Sequence, residues 1–149
     1  MKIVIQKVKE ASVKVDSNIV GSIGKGYMVL VGFTETDNKE VIDKMVSKMI
    51  GLRIFEDDNM KLNLSIEDVH GSILSISQFT LYANCKKGRR PSFIEAAPGE
   101  QATLLYEEFN KTIIEKNIPL EKGIFGADMK VSLINDGPVT IILDSAEIM

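Results

Sequence analysis

The sequence has very few of the side chains on which most hydrolytic and metal centres depend. Among its 149 residues there is one histidine, His70, and one cysteine, Cys85. A single cysteine excludes an internal disulfide and a multi-cysteine metal cage, and it is typical of a reducing compartment. Neither His-x-x-His nor Cys-x-x-Cys spacing occurs, and there is no Gly-rich phosphate loop. We therefore expect neither a bound metal ion nor a cofactor.

Long apolar runs are missing as well. No segment approaches the roughly 18 apolar residues of a membrane helix, and strand-like alternation begins at Lys2 without a signal-peptide core. Hydrophobic residues make up 44% of the chain and charged residues 26%. The length and these values predict one domain over residues 1–149. The missing apolar runs and signal-peptide core predict that it lies in the cytoplasm without a membrane partner. The net charge of −3 disfavours nucleic-acid binding by the overall field and leaves only local basic patches as candidates.

Hydrophobic periodicity predicts an α+β fold with a mostly antiparallel sheet and two amphipathic helices. The first helix begins with a capping box, Asp37 followed by Glu40, and ends at Gly51. The second helix spans residues 98–116, with apolar side chains on one side and charged ones on the other. Apolar runs predict strands within residues 2–15, 19–23, 27–33, 52–55, 69–82, 130–134 and 139–143.

The last two predicted strands are separated by Asn135-Asp136-Gly137-Pro138, which therefore marks a hairpin turn. Pro138 adds a constraint, because proline cannot donate to a ladder and restricts the residue before it. Local statistics favour a trans Gly137–Pro138 bond, since only about 5–6% of X-Pro bonds in folded proteins are cis. A cis bond would direct two successive carbonyl oxygens to one side, where they could accept hydrogen bonds from an ammonium group.

Polar side chains also end the strand predicted at 69–82, where the sequence is Ser77-Gln78-Phe79-Thr80-Leu81-Tyr82. A loop with four positive charges in five residues follows it, comprising Lys86, Lys87, Arg89 and Arg90. This loop is either a solvated surface segment or a phosphate-contacting edge, since lysine and arginine neutralise phosphates without reading sequence.

A histidine-dependent triad is not predicted, because His70 precedes the polar strand and accompanies no nucleophile motif. Catalysis would then rest on backbone amides and hydroxyls, with the substrate supplying part of the chemistry. Amides aimed at a developing oxyanion can contribute roughly 3–4 kcal/mol per donor.

The two polar segments, Ser77–Tyr82 and Asn135–Thr140, closely resemble the signature motifs of the D-aminoacyl-tRNA deacylases, also called D-tyrosyl-tRNA deacylases. Residues 1–6, 52–55, 88–93 and 125–129 are similar to the family's pattern in the same order. One departure is Lys7, where many members have arginine. If that side chain braces the Gly-Pro turn, lysine lacks the planar fork with which arginine would do so.

This resemblance implies a homodimer of β-rich, barrel-like subunits with active sites at the dimer interface. It also implies hydrolysis of the ester between a D-amino acid, or misacylated glycine, and the 3′-terminal adenosine of tRNA. Gln78, Phe79 and Thr80 would be the catalytic residues, with the backbone amides of this turn as the oxyanion donors. Ser77 and Met129 would line the substrate pocket.

The resemblance further implies that Gly137 and Pro138, in the cis form, enter from the partner subunit and hold the substrate ammonium. Such a main-chain selector would sense chirality while the substrate side chain points to solvent. An L-residue would drive its Cβ into the turn, whereas glycine has no Cβ to exclude. The basic loop, Lys86 to Arg90, would contact the phosphates of the tRNA acceptor stem.

Three alternatives stay open. Hydrolysis could use the Thr80 hydroxyl as nucleophile, or the terminal ribose 2′-hydroxyl could assist attack by water; we favour the second. The chain could instead be a small-ester hydrolase that uses Ser77 or Thr80 conventionally. It could also be a non-catalytic dimer that binds nucleic acid through the basic loop.

Overall fold

The central element of the fold is β1, a 14-residue strand that reaches across the whole sheet. A computed structural model describes every residue from 1 to 149. Its strands are β1 (Lys2–Val15), β2 (Asn18–Ile23), β3 (Gly26–Gly32), β4 (Phe55–Glu56), β5 (Leu62–Leu64), β6 (Ser72–Ser77), β7 (Leu120–Lys122) and β8 (Lys130–Asp144). Its helices are α1 (Lys39–Gly51), α2 (Gly99–Glu115) and the short α3 (Ser145–Ile148), and a 3₁₀ turn spans Phe79–Tyr82. None of the helices has the length and apolarity needed to cross a bilayer.

Strand β1 pairs with β3 and β2 in succession along one edge and with β8 along the other. All three pairings are antiparallel, as predicted for most of the sheet. The remaining pairs, β3 with β6 and β6 with β7, are parallel, so the sheet is mixed rather than mostly antiparallel. The difference arises because the chain reaches β6 and β7 through long connections that contain α1 and α2, and such crossovers join parallel strands.

The sheet curls into a nearly closed barrel because β2 folds back over β6 and β7. Gly21 makes this approach possible, since a Cβ at that position would lie 2.9 Å from the carbonyl oxygen of Lys122. One hydrophobic cluster fills the curled interior and includes Val8, Val13 and Leu74. A larger cluster lies on the other face, under α1 and α2. Each fully buried aliphatic side chain in these clusters contributes about 1.5–3 kcal/mol.

The capping box predicted at Asp37 and Glu40 is wrong. Asn38 is the N-cap residue of α1, and its side chain accepts a hydrogen bond from the Val41 amide at 3.0 Å. The carboxylate of Asp37 is buried instead, where it accepts hydrogen bonds from the Met1 ammonium and the Thr34 amide, each at 2.8 Å. Because its carboxylate pairs with the buried Met1 ammonium, Asp37 does not cap the helix.

The hairpin predicted at residues 135–138 is also wrong. Both flanking segments belong to β8, and both pair with β1. Gln6 pairs with Thr140 and Val8 with Asn135, so Asp136–Val139 stand opposite Lys7 alone. The chain therefore does not reverse but bulges out of a continuous strand, because β1 is long enough to pair with both halves of β8. The Gly137–Pro138 bond is cis, as the family resemblance implied and contrary to the local statistics.

Candidate active site

The polar end of β6 is held against β3 by the backbone. Ser77 pairs with Val31, and the Gln78 amide donates to the Val31 carbonyl oxygen at 2.8 Å. The chain then forms the 3₁₀ turn, which corrects the single strand predicted over 69–82. Gly32 permits this packing, because a Cβ there would lie 2.8 Å from the Gln78 carbonyl oxygen and 3.2 Å from Leu81 Cβ.

A cavity of about 280 Å³ opens beside this turn. Four residues that the sequence analysis assigned to the site line it together: Ser77, Gln78 and Phe79 on one wall and Met129 on another. The rest of the lining comes from Ile76, Phe125, Gly126, Ala127, Asp128 and Val131. None of these six residues had an assigned role: Ile76 and Val131 are strand residues that indicated only packing, and the loop 125–128 carries no periodic signal.

The wall that carries Met129 is anchored to β6 from behind. The Ser75 carbonyl oxygen accepts from the Gly123 amide at 3.1 Å and from the buried Tyr106 hydroxyl at 2.8 Å. The Tyr106 ring also packs on Phe125, with centroids 6.0 Å apart. Helix α2 thus fixes the distance between the two walls of the cavity. The helical periodicity put Tyr106 on the apolar side of the second predicted helix but could not assign its hydroxyl to this carbonyl.

Thr80 does not line the cavity. Its hydroxyl oxygen accepts a hydrogen bond from the Gln78 side-chain amide. His70 precedes the opposite end of β6, roughly 20 Å away at the rise of an extended chain, so it provides no base for Thr80. The backbone N–H of Gln78 donates to the Val31 carbonyl oxygen. The donors left at the start of the 3₁₀ turn are therefore the backbone N–H groups of Phe79 and Thr80.

Two tyrosines near the site remain protonated at neutral pH. Burial raises the pKa of the Tyr106 hydroxyl above its ordinary value. Burial, followed by the carboxylates of Asp37, Asp144 and Glu95, raises the pKa of Tyr82 as well. Neither phenol can therefore act as a general base near neutral pH.

The bulge at residues 136–139 is held by a side-chain clamp. The Asn135 side chain accepts from the Val139 amide at 3.0 Å and donates to Gln6 Oε1 at 2.6 Å. The Thr140 hydroxyl donates to the same Gln6 oxygen. Sequence reasoning missed Gln6, whose alternation with apolar neighbours indicated only an outward-facing strand residue. All of the clamp residues lie on β1 and β8, so the bulge is held by hydrogen bonds within its own sheet.

Lys7 does not take part in this clamp. Its side chain is buried on the other face of β1, where Nζ lies 5.7 Å from the centroid of the Phe55 ring. Lys7 therefore does not brace the bulge in this chain. The hydrogen bonds that hold the bulge are made by Gln6, Asn135 and Thr140.

The structure does not bring the two signature motifs together within one chain. Gly137 and Pro138 are exposed, and neither lines the cavity beside Gln78. No residue beyond Val131 contributes to that cavity. Within one chain, the bulge and the cavity are therefore separate features.

The basic loop is closed at its base by a bridge between Asn84 and Ser92, with N–H···O distances of 2.8 and 2.9 Å. Lys86, Lys87, Arg89 and Arg90 are exposed, and none of them forms an ion pair. The loop connects to the cavity through Phe93, whose ring packs edge-on against Phe79 with centroids 5.1 Å apart.

Comparison with known proteins supplies the family. The model of the family described as D-Tyr-tRNA(Tyr) deacylase matches residues 4–144. A D-aminoacyl-tRNA deacylase of Clostridium botulinum strain Eklund 17B is 56% identical over 147 residues, which are 99% of each chain. One from Geotalea daltonii is 57% identical over 145 residues, 97% of each chain.

A solved structure shares the fold of this chain. The protein described as c-Myc DNA unwinding element binding protein superimposes with a TM-score of 0.92 at 41% identity, over 97% of this chain and 98% of its own. With a family model that matches residues 4–144 and relatives that match nearly the whole length, the chain belongs to the D-Tyr-tRNA(Tyr) deacylase family.

Proposed function

We propose that the protein is a cytoplasmic D-aminoacyl-tRNA deacylase that works as a homodimer. The observation that carries this proposal is the cavity in which Ser77, Gln78 and Phe79 face Met129, in a chain that belongs to the deacylase family. The substrate class is tRNA esterified at its 3′ end with a D-amino acid. Two relatives over 55% identical are named for this activity.

The chemistry fits a site without a side-chain base. Water adds to the ester carbonyl, and the resulting oxyanion is stabilised by the N–H groups of Phe79 and Thr80. The tetrahedral intermediate then collapses and expels the ribose 3′-oxygen, which takes up a proton as the free amino acid leaves. The neighbouring 2′-hydroxyl assists the attacking water, because Thr80 accepts from Gln78 and has no base to activate it. A substrate that ends in 2′-deoxyadenosine should therefore react far more slowly.

Chiral selection is assigned to the bulge of the partner subunit. The carbonyl oxygens of Gly137 and Pro138 would accept the substrate ammonium, and the clamp at Asn135 would hold them at a fixed distance. An L-residue held in this way would place its Cβ against the bulge. Glycine has no Cβ, so glycyl-tRNA should be hydrolysed as well.

The homodimer is supported by the surface around β8. This strand pairs only with β1, so its outer edge is unpaired, and Ile142 on it is 68% exposed. Long, apolar, unpaired edges are unusual on monomeric proteins, because they promote association. A partner that covers this surface could bring its bulge to a cavity that the chain's own bulge does not reach.

Subunit mixing tests the cross-subunit arrangement. Met129→Trp should fill much of the cavity, and Gly137→Ala should distort the bulge, since a Cβ there would lie 2.8 Å from Val139 Cγ2 at a φ of 134°. Each variant alone should be inactive. After co-refolding, mixed dimers should recover about a quarter of wild-type activity, because half of the dimers are mixed and each has one complete site. No recovery would mean that bulge and cavity act within one chain.

A second candidate function, nucleic-acid binding without turnover, is favoured by one relative. The c-Myc DNA unwinding element binding protein is described as a DNA-binding protein and is 41% identical to this chain. Hydrolysis of D-aminoacyl-tRNA separates the candidates, because a binding protein would retain the charged tRNA intact. Free D-amino-acid esters provide the control for a small-ester hydrolase.

A further inference from the structure

Two exposed phenylalanines connect the cavity to the basic loop. We propose that Phe79 and Phe93 form a stacking platform for the base of the penultimate nucleotide at the 3′ end of the substrate RNA. The proposal rests on the proposed function and adds to it the part of the RNA that these two rings bind. The ligand class is an unpaired nucleobase of any identity.

The exposure of the two rings is the first observation. Phe79 is 54% exposed and Phe93 37%, although their rings touch edge to face with an interplanar angle of 70°. The contact fixes each ring while leaving part of its surface to solvent. Such rigid, exposed aromatic surfaces are the feature with which proteins bind unpaired bases, since every base has a π-face.

Charge next to the platform is the second observation. Phe93 directly follows the bridge between Asn84 and Ser92, so the loop that carries four unpaired cations begins and ends beside it. Cations for a phosphate backbone next to aromatic rings for bases are the combination by which proteins bind single-stranded nucleic acid. An apolar partner surface would not need the four cations, and this favours RNA over a second copy of the chain.

The position of Phe79 decides which nucleotide is bound. Phe79 lines the cavity proposed to hold the ester and the terminal adenosine, whereas Phe93 lies on the side toward the basic loop. A strand that leaves the cavity toward the loop therefore passes the platform with its next base.

The test compares Phe93→Leu with Phe93→Tyr, which keeps the aromatic face. Leu104→Ala on α2 serves as a control for loss of an exposed apolar side chain, since Leu104 is 64% exposed and remote in sequence from the platform. The substrates are a D-aminoacyl-adenosine, a D-aminoacyl dinucleotide that ends in adenosine, and the charged tRNA.

We expect Phe93→Leu to lower kcat/KM between about 5-fold and 150-fold on the dinucleotide and the tRNA, mainly through KM, the range that corresponds to one lost base stack. Hydrolysis of the aminoacyl-adenosine should be unchanged, and Phe93→Tyr and Leu104→Ala should behave like wild type. Equal losses on all three substrates would overturn the proposal, since Phe93 would then support the cavity itself. Unchanged kinetics on the tRNA, or a weaker dimer in Phe93→Leu, would overturn it too.

A binding measurement separates this proposal from the deacylase activity. An uncharged trinucleotide with 2-aminopurine in the penultimate position should lose fluorescence on binding to wild type and Phe93→Tyr but not to Phe93→Leu. Quenching without hydrolysis of any D-aminoacyl substrate would refute the proposed function and leave the platform standing. Hydrolysis without quenching would refute the platform alone.

Discussion

Two buried tyrosines differ in whether their hydroxyl has a partner, and only removal of the paired hydroxyl should lower stability. The Tyr106 hydroxyl donates to the Ser75 carbonyl oxygen at 2.8 Å. The Tyr27 hydroxyl is fully buried and has no hydrogen-bond partner, although its ring stacks on Phe55 with centroids 5.5 Å apart. Changing either tyrosine to phenylalanine removes one oxygen and keeps the ring.

The structure sets the size of both effects. Tyr106→Phe loses one buried hydrogen bond, worth about 1 kcal/mol, and the loss stays small because Ser75 keeps its bond from the Gly123 amide. The melting temperature should fall by roughly 2–4 °C. Tyr27→Phe removes an unsatisfied polar group whose burial costs about 1–3 kcal/mol, so its free energy of unfolding should be unchanged or higher.

Urea unfolding of the two variants beside wild type measures the difference directly, as a shift of the midpoint at constant m-value. Destabilisation of Tyr27→Phe by as much as Tyr106→Phe would refute the reasoning. It would mean that the Tyr27 hydroxyl has a favourable interaction in solution. A second readout is activity, where only Tyr106→Phe should lower kcat, since its hydroxyl helps to hold the two cavity walls together.

Four further changes test other parts of the structure. Asp37→Asn removes the carboxylate that pairs with the buried Met1 ammonium, which keeps only its hydrogen bond to Ser145 Oγ, and should cost about 3–5 kcal/mol in urea unfolding. Gly32→Ala, which forces a Cβ to 2.8 Å from the Gln78 carbonyl oxygen, should lower kcat at least about 10-fold, while Gly24→Ala, with open space around it, should leave kcat unchanged. Asn135→Ala removes the clamp and should reduce D-substrate hydrolysis about 10-fold or more with a change in melting temperature of only a few degrees. Because burial raises the pKa of three tyrosines, the unfolded chain loses their protons first, so the contribution of these tyrosines to stability should be constant below about pH 10 and stability should fall above it in alkaline titration.

Much of the fold follows from local patterns in the sequence. The periodicity of apolar residues places α1, α2 and the antiparallel strands β1 to β3 within a few residues of their observed ends. The short β7, with three residues, has no pattern of its own and forms only because β6 offers it an edge. A hairpin and a bulge at residues 135–139 need the same turn residues. The bulge forms because both halves of β8 pair with β1, and the sequence does not show this pairing.

The candidate site is less visible in the sequence than the fold. Ser77, Gln78, Phe79 and Met129 were predicted because they belong to recognisable motifs, and the structure brings them to one cavity. Gln6 and Tyr106 were missed, because a strand glutamine and a helix tyrosine on an apolar face indicate nothing beyond their burial. Their roles depend on hydrogen bonds to residues far away in sequence.

The central claim is that this chain hydrolyses D-aminoacyl-tRNA and spares the L form, and one measurement tests it most directly. The same tRNA, charged with the D or the L form of one amino acid, is incubated with the wild-type protein, and the remaining ester is followed over time. The account predicts that the D ester is hydrolysed at least about 100-fold faster than the L ester, because a steric clash opposes only the L form. Equal rates for both, or no hydrolysis of either, would contradict it.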